Sequence, residues 1–163
     1  MKLTTILLLI TLGVNAQIKS PYDDGLFISI GIDPKNALVG GTVNNQAIDL
    51  LLKTYYRADE VEVGIFYEAF PEISFVNYGI LVNLVLDLQK VTHTIPLELV
   101  AGYEIGRIHN KTKKGTSTAC NVELRYDIRR LVIGLQYQNK FRGELGRRVQ
   151  SGYINLGYRL IRD

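Results

Sequence analysis

Over residues 46–57 the chain alternates residue by residue: Ile48, Leu50, Leu52, Thr54 and Tyr56 share one face, and Asp49, Leu51, Lys53, Tyr55 and Arg57 share the other. Successive side chains of a strand point to opposite sides, so this spacing predicts a strand with one apolar and one mainly polar face. The pattern recurs along the chain, and its apolar face never carries a charge. One strand offers Leu26, Ile28, Ile30 and Ile32; another Val61, Val63, Ile65, Tyr67 and Ala69; a third Val76, Tyr78, Ile80, Val82, Leu84 and Leu86. Further on come Ile95, Leu97, Leu99, Ala101, Tyr103 and Ile105, with Pro96 at the strand start, where a missing N–H matters least. Cys120, Val122, Leu124, Tyr126 and Ile128 follow, then Leu131, Ile133, Leu135 and Tyr137, and last Ile154, Leu156, Tyr158 and Leu160. The sum is eight strands, an even number, each long enough for a tilted bilayer crossing.

The first residues stand apart. Lys2 precedes an apolar run over residues 3–14 that ends in Asn15-Ala16-Gln17, the form of a cleavable secretory signal over residues 1–16. The run is shorter than the roughly 20 residues a membrane helix needs. Residues 17–163 then form one exported domain, and the size allows one core rather than two. With 21% charged residues and a net charge of +3, nothing in the totals points to a nucleic-acid partner. The single Cys, Cys120, has no internal partner for a disulfide, and its position suits packing or lipid contact.

The connections alternate in length. Those over residues 33–45, 108–118 and 139–148 read as long loops, whereas Ala58-Asp59 and Arg129-Arg130 read as tight turns and residues 87–92 as a modest one. Phe70-Pro71-Glu72-Ile73 is a short loop on the long-loop side. A barrel with both termini in the periplasm and its long loops outside the cell has this rhythm.

Alternation does not say which face is inside, and a soluble lipocalin-like barrel would bury the apolar one. Two observations favour the inverse. Gly31, Gly64, Gly79, Gly102, Gly106, Gly134 and Gly157 all fall on the polar face, where small residues make room in a narrow lumen. Tyr56, Tyr67, Tyr78, Tyr103, Tyr126, Tyr137 and Tyr158 fall on the apolar face, as an aromatic girdle at the membrane interfaces requires.

The lumen of an eight-stranded barrel is filled by side chains, so a plug is expected and not a pore. Acids at Asp49, Glu62, Glu68, Asp87, Glu98, Glu104, Glu123 and Asp127 face bases at Lys53, Arg57, Arg125, Arg129 and Arg159. Buried charge is costly unless paired, which predicts an interior network. Glu62 is expected near Lys53 and Arg57 across the tight turn, and Glu123, Arg125, Asp127 and Arg129 alternate in sign along one strand face. No set of residues stands at metal-ligand spacing, so neither metal nor cofactor is expected.

The chain resembles the small eight-stranded outer-membrane proteins of the OmpX, Ail and OmpA-barrel type, in particular the outer-membrane β-barrels of Bacteroidetes-like bacteria. The resemblance spans residues 17–163, and its most specific part is the closing sequence Ser151-Gly-Tyr-Ile-Asn-Leu-Gly-Tyr-Arg-Leu160. Members of that group usually end on an aromatic residue read by the barrel-insertion machinery. This sequence instead continues through Ile161, Arg162 and Asp163, with Tyr158 the nearest aromatic on the apolar face. The resemblance implies a monomer in the outer membrane of a Gram-negative bacterium, in contact with membrane lipid and lipopolysaccharide, with a structural or surface-binding role.

Some barrels of this size modify lipid A, which needs a nucleophile hydrogen-bonded to a base. His93 and His109 are the available histidines, and Ser117 lies near His109 in sequence with nothing that fixes their geometry. No catalytic residue is assigned, and both histidines read as solvated loop residues. The outer loops are basic, with Arg107, Lys111, Lys113, Lys114, Lys140, Arg142, Arg147 and Arg148 opposed by Glu144 alone. Such a rim suits the phosphates of lipopolysaccharide or another anionic surface. The sequence reading is therefore an outer-membrane barrel with basic external loops. A soluble periplasmic lipocalin-like barrel around an apolar ligand is the alternative, with a lipid A-modifying enzyme behind it.

Overall fold

A computed structural model describes residues 24–34, 48–71, 74–88, 96–111, 113–128 and 130–162. The strands are β1 (Gly25–Asp33), β2 (Asp49–Ala58), β3 (Val61–Phe70), β4 (Phe75–Asp87), β5 (Leu97–His109), β6 (Lys114–Ile128), β7 (Leu131–Arg142) and β8 (Arg147–Arg162). Each pairs antiparallel with the next, and β8 returns to β1, giving a closed eight-stranded barrel in chain order. Closure matters physically because it leaves no unpaired sheet edge around the ring. The seam runs from Ile32 opposite Ile154 down to Gly25 opposite Arg162, with one irregularity between Leu26 and Phe27.

The apolar face points outward on every strand. Ile65 is 61% exposed and Leu135 60%, while the charged Glu62 on the neighbouring inward phase is 0% exposed. This orientation is the opposite of the one a soluble lipocalin-like barrel requires, and it overturns that alternative. Cys120 lies on the outer wall. The expected signal over residues 1–16, together with Ile95 and His93, falls outside the described residues.

Two expected loops are much shorter than the sequence suggests. β5 runs on to His109 and β6 begins at Lys114, leaving a tight hairpin in which Asn110 N donates to Lys113 O at 2.9 Å. Likewise β7 continues to Arg142 and β8 begins at Arg147, with Gly146 at φ +63° in the turn. The sequence hides these extensions because the outward positions turn polar there: Thr118, Thr116 and Lys114 on β6, Gln150 and Arg148 on β8. Backbone pairing persists beyond the apolar band, where outward side chains need only suit water or headgroups.

At the opposite end β2 and β3 join through Asp59, at φ 52°, and Asp24 Oδ1 accepts the Asp59 N–H at 2.8 Å. Gly25 pairs with both Arg57 and Arg162, so both ends of the barrel sequence lie at this turn end. The interior is mixed rather than wholly polar. Phe27, Leu51, Tyr55, Phe66, Leu81, Val132 and Tyr153 form a buried cluster, and Phe27 stacks on Tyr55 at 5.2 Å between ring centroids. A second cluster of Phe70, Phe75 and Ile108 lies nearer the hairpin end.

Candidate functional site

The inward phase of the strands brings together residues far apart in sequence. Arg125 meets Glu62 through two contacts, Nη1 to Oε1 at 2.5 Å and Nη2 to Oε2 at 3.1 Å, and its Nη2 also reaches Glu123 Oε2 at 3.0 Å. Lys53 lies 3.7 Å from Glu123 and donates to Gln136. Arg57 pairs with Glu98 at 2.6 Å, and Arg159 with Asp127 at 2.9 Å. Glu104 accepts from the amides of Gln138 and Asn121. Asp87 sits half-buried at the turn end, and Arg129 falls outside the described residues.

The expected neighbourhood of Glu62 holds in register for Arg57 and needs correction in its ion pairing. The register places it directly opposite Arg57. Its bidentate partner is nevertheless Arg125, from the far wall, and the carboxylate beside Lys53 is that of Glu123. Long side chains in a narrow barrel reach across the axis, so neighbours along the wall do not fix the pairs.

Glycine makes this packing possible. A Cβ on Gly134 would lie 2.2 Å from Glu123 Oε1, and one on Gly102 would lie 1.8 Å from Asn83 Oδ1. Asn83 in turn donates to Glu62 Oε2 at 2.9 Å. The two glycines leave the space that these polar side chains occupy.

The basic rim divides into two populations. Lys140, expected in a loop, is on β7 in phase with Gln136 and Gln138, buried at 2% exposure and paired with Glu68. The correction follows from the length of β7, which carries the inward phase two steps beyond Gln138. Arg142 is also engaged, its Nε donating to Glu144 Oε1 at 2.5 Å and its guanidinium lying 4.0 Å from the Phe75 ring centroid. By contrast Arg107, Lys111, Lys113, Lys114, Arg147 and Arg148 are exposed. Arg107 and His109 lie on the outward phase of β5, with His109 opposite Lys114 and Arg107 between Tyr78 and Thr116.

His109 is therefore a wall residue and not a loop residue. Its Nε2 stands 3.4 Å from the Tyr78 hydroxyl on the outer surface. Ser117 faces inward and donates to Asn77 Oδ1 at 2.7 Å. The barrel wall separates the pair, which removes the one serine–histidine combination the sequence offered. Among the described residues no group of three potential metal ligands converges.

The outward tyrosines occupy different heights. Tyr56, Tyr126 and Tyr158 lie toward the turn end, Tyr67 and Tyr78 are directly opposed toward the other, Tyr137 stands just below Asn139, and Tyr103 lies at the middle of β5. Sequence reasoning missed Asn77, Asn83, Asn121, Gln136, Gln138, Tyr153 and Asn155 as interior hydrogen-bonding residues, all of them buried. Their inward phase was legible, but an amide carries no charge to mark it.

A closed barrel with an apolar outer wall and a charged, hydrogen-bonded interior is the geometry of a membrane-spanning β-barrel, in which lipid and not water meets the exposed Ile, Leu and Val. Solved structures share it. The chain is similar to the outer membrane protein Ail of Yersinia pestis in a phospholipid bilayer nanodisc, with 17% identity and a TM-score of 0.55 over 85% of this chain and 100% of that one. It is also similar to the N-terminal β-barrel domain of Pseudomonas aeruginosa OprF, with 9% identity and a TM-score of 0.61 over 84% and 98%. Neisserial surface protein A matches with 13% identity and a TM-score of 0.51 over 88% and 98%. The likeness establishes the fold of the small outer-membrane barrels. No protein-family model matches the sequence, and no curated protein matches it.

Proposed function

We propose that this chain is an outer-membrane protein of a Gram-negative bacterium, exported by a signal over residues 1–16 and placed by the barrel-insertion machinery. It works as a monomer with a closed lumen, and its role is structural and surface-binding rather than catalytic. The rim cations bind anionic groups, first among them the phosphates of lipopolysaccharide. One observation carries the reading: the interior cations Lys53, Arg57, Arg125, Lys140 and Arg159 each contact a carboxylate, whereas no ion pair forms at Arg107, Lys111, Lys113, Lys114, Arg147 or Arg148 among the described residues. Exposed cations gathered at one end of a membrane protein meet whatever anion the adjoining leaflet offers, and charge-assisted hydrogen bonds supply the affinity.

The test is binding of the detergent-solubilised barrel to lipopolysaccharide and to its dephosphorylated form at low and high salt. Replacing Lys111, Lys113 and Lys114 together by Ala should weaken binding to the phosphorylated form and flatten its salt dependence. Equal binding of both forms by the native chain would refute the assignment.

A further inference from the structure

Charge is distributed unevenly along the barrel axis. Toward the turn end Glu62, Glu98, Glu123 and Asp127 each touch a cation. In the hairpin half, Asp49, Glu68 and Glu104 are all buried, and Lys140 pairs with Glu68. Asp33 stands opposite Asp49 in the β1–β2 register. The groups facing Asp49 from the packed strands are Asp33 on β1, Glu68 on β3, Lys140 on β7 and Tyr153 on β8.

Tyr153 has one hydroxyl hydrogen, yet its oxygen lies 2.7 Å from Asp49 Oδ2 and 3.1 Å from Glu68 Oε1. Glu68 is furnished as an anion, with Lys140 on Oε1 and the Asn77 amide on Oε2 at 2.8 Å. Asp49 is not: its Oδ1 is buried without a hydrogen-bond partner among the described residues. An ionised Asp49 would claim the hydroxyl hydrogen through the shorter contact, leave Glu68 without it, and keep a charged Oδ1 unsatisfied. A neutral carboxyl frees that hydrogen for Glu68 and leaves Oδ1 unpaired but uncharged, which costs far less than a buried bare charge.

We infer that Asp49 is a proton-binding site of the folded barrel. As a carboxylic acid it donates through Oδ2 to the Tyr153 oxygen; Tyr153 donates to Glu68, and Lys140 closes the chain. The ligand is a proton, held between Asp49 Oδ2 and the Tyr153 oxygen, which lie 2.7 Å apart. The chain joins β2, β8, β3 and β7, and Asn77 on β4 with Ser117 on β6 extends it to six strands. Loss of the proton sets a second negative charge beside Glu68 and breaks the clasp at Tyr153, so the hairpin end of the lumen responds to pH.

Infrared spectroscopy of the full barrel in phosphatidylcholine vesicles tests this. At neutral pH the native chain should show the carbonyl stretch of a protonated carboxyl, and Asp49→Asn should abolish that contribution. Absence of the band in the native chain, or the same intensity in Asp49→Asn, overturns the proposal. Should Asp49→Asn not assemble, Tyr153→Phe keeps both carboxyls and removes the acceptor, so the band should move; an unmoved band overturns it equally. A native barrel with no such band, and with heat stability that depends on a dissolved metal cation, assigns the site to the cation instead.

Discussion

Arg125 and Glu62 face each other across the lumen from β6 and β3, joined by contacts of 2.5 and 3.1 Å although 63 residues separate them in sequence. The pair ties opposite walls of the barrel, and Glu123 and the Tyr55 ring complete the surroundings of the guanidinium. Removing one partner leaves the other charged and buried. Arg125→Met should therefore destabilise the barrel by about 3–5 kcal/mol, read as a lower urea midpoint in detergent. Adding Glu62→Gln should recover much of the loss, since the buried charge then disappears with its partner.

Ile65 and Lys140 exemplify opposite rules for the two faces. Ile65 stands on the outer wall near the middle of β3, and an arginine there meets lipid. Ile65→Arg should cost about 2–4 kcal/mol when folding is measured in phospholipid bilayers, whereas Thr116→Arg, near the hairpin end, should cost about 0–1 kcal/mol. Equal costs at both positions would place the apolar band elsewhere.

Lys140→Ala separates the buried from the exposed cations. It leaves Glu68 without its ion pair, so heat resistance of the folded form in SDS should fall while lipopolysaccharide binding stays unchanged. The triple replacement of Lys111, Lys113 and Lys114 should do the reverse. These exposed positions contribute roughly 0–1 kcal/mol each to stability, and their effect belongs in the binding curve.

Gly134→Leu should displace the Glu123 carboxylate, whose Oε1 accepts from Asn155 at 2.6 Å, and disturb its contacts with Arg125 and Lys53. Overpacking of this kind costs about 1–3 kcal/mol. The loss should exceed that from Gly152→Leu, where no atom lies within 4 Å of an added Cβ.

Planar-bilayer recordings should show no steady open channel. The bore holds the stacked Phe27 and Tyr55 with Leu51, Val132 and the Arg125 network, and Arg159 lies 4.8 Å from the Phe27 ring centroid. Sustained ohmic conductance of the native chain would contradict a filled lumen.

The strand phases were legible wherever apolar residues alternate with polar ones. Ile28, Val63, Ile80 and Leu156 point outward as their spacing demands, and Asp49, Glu62, Glu98 and Arg159 point inward. What misled was the assumption that strands end where the apolar residues end. Lys140 looked like a loop cation because it follows Asn139, an outward polar residue, yet hydrogen-bonded pairing carries β7 on to Arg142. The basic rim was legible as a composition, but which cations were already engaged was not.

The division has a simple physical cause. Side-chain phase is a local property of an extended backbone, fixed by a period of two, so the sequence by itself determined the eight strands, their two faces and, through tyrosine and glycine, which face meets lipid. Partners across the lumen are set by closure: the ring brings Lys140 to Glu68 and Tyr153 to Asp49, separated by 72 and 104 residues. Only the tertiary structure decided those contacts, because they depend on strand register, the stagger of the closed ring and the space left by glycine, none of which is encoded within a single strand.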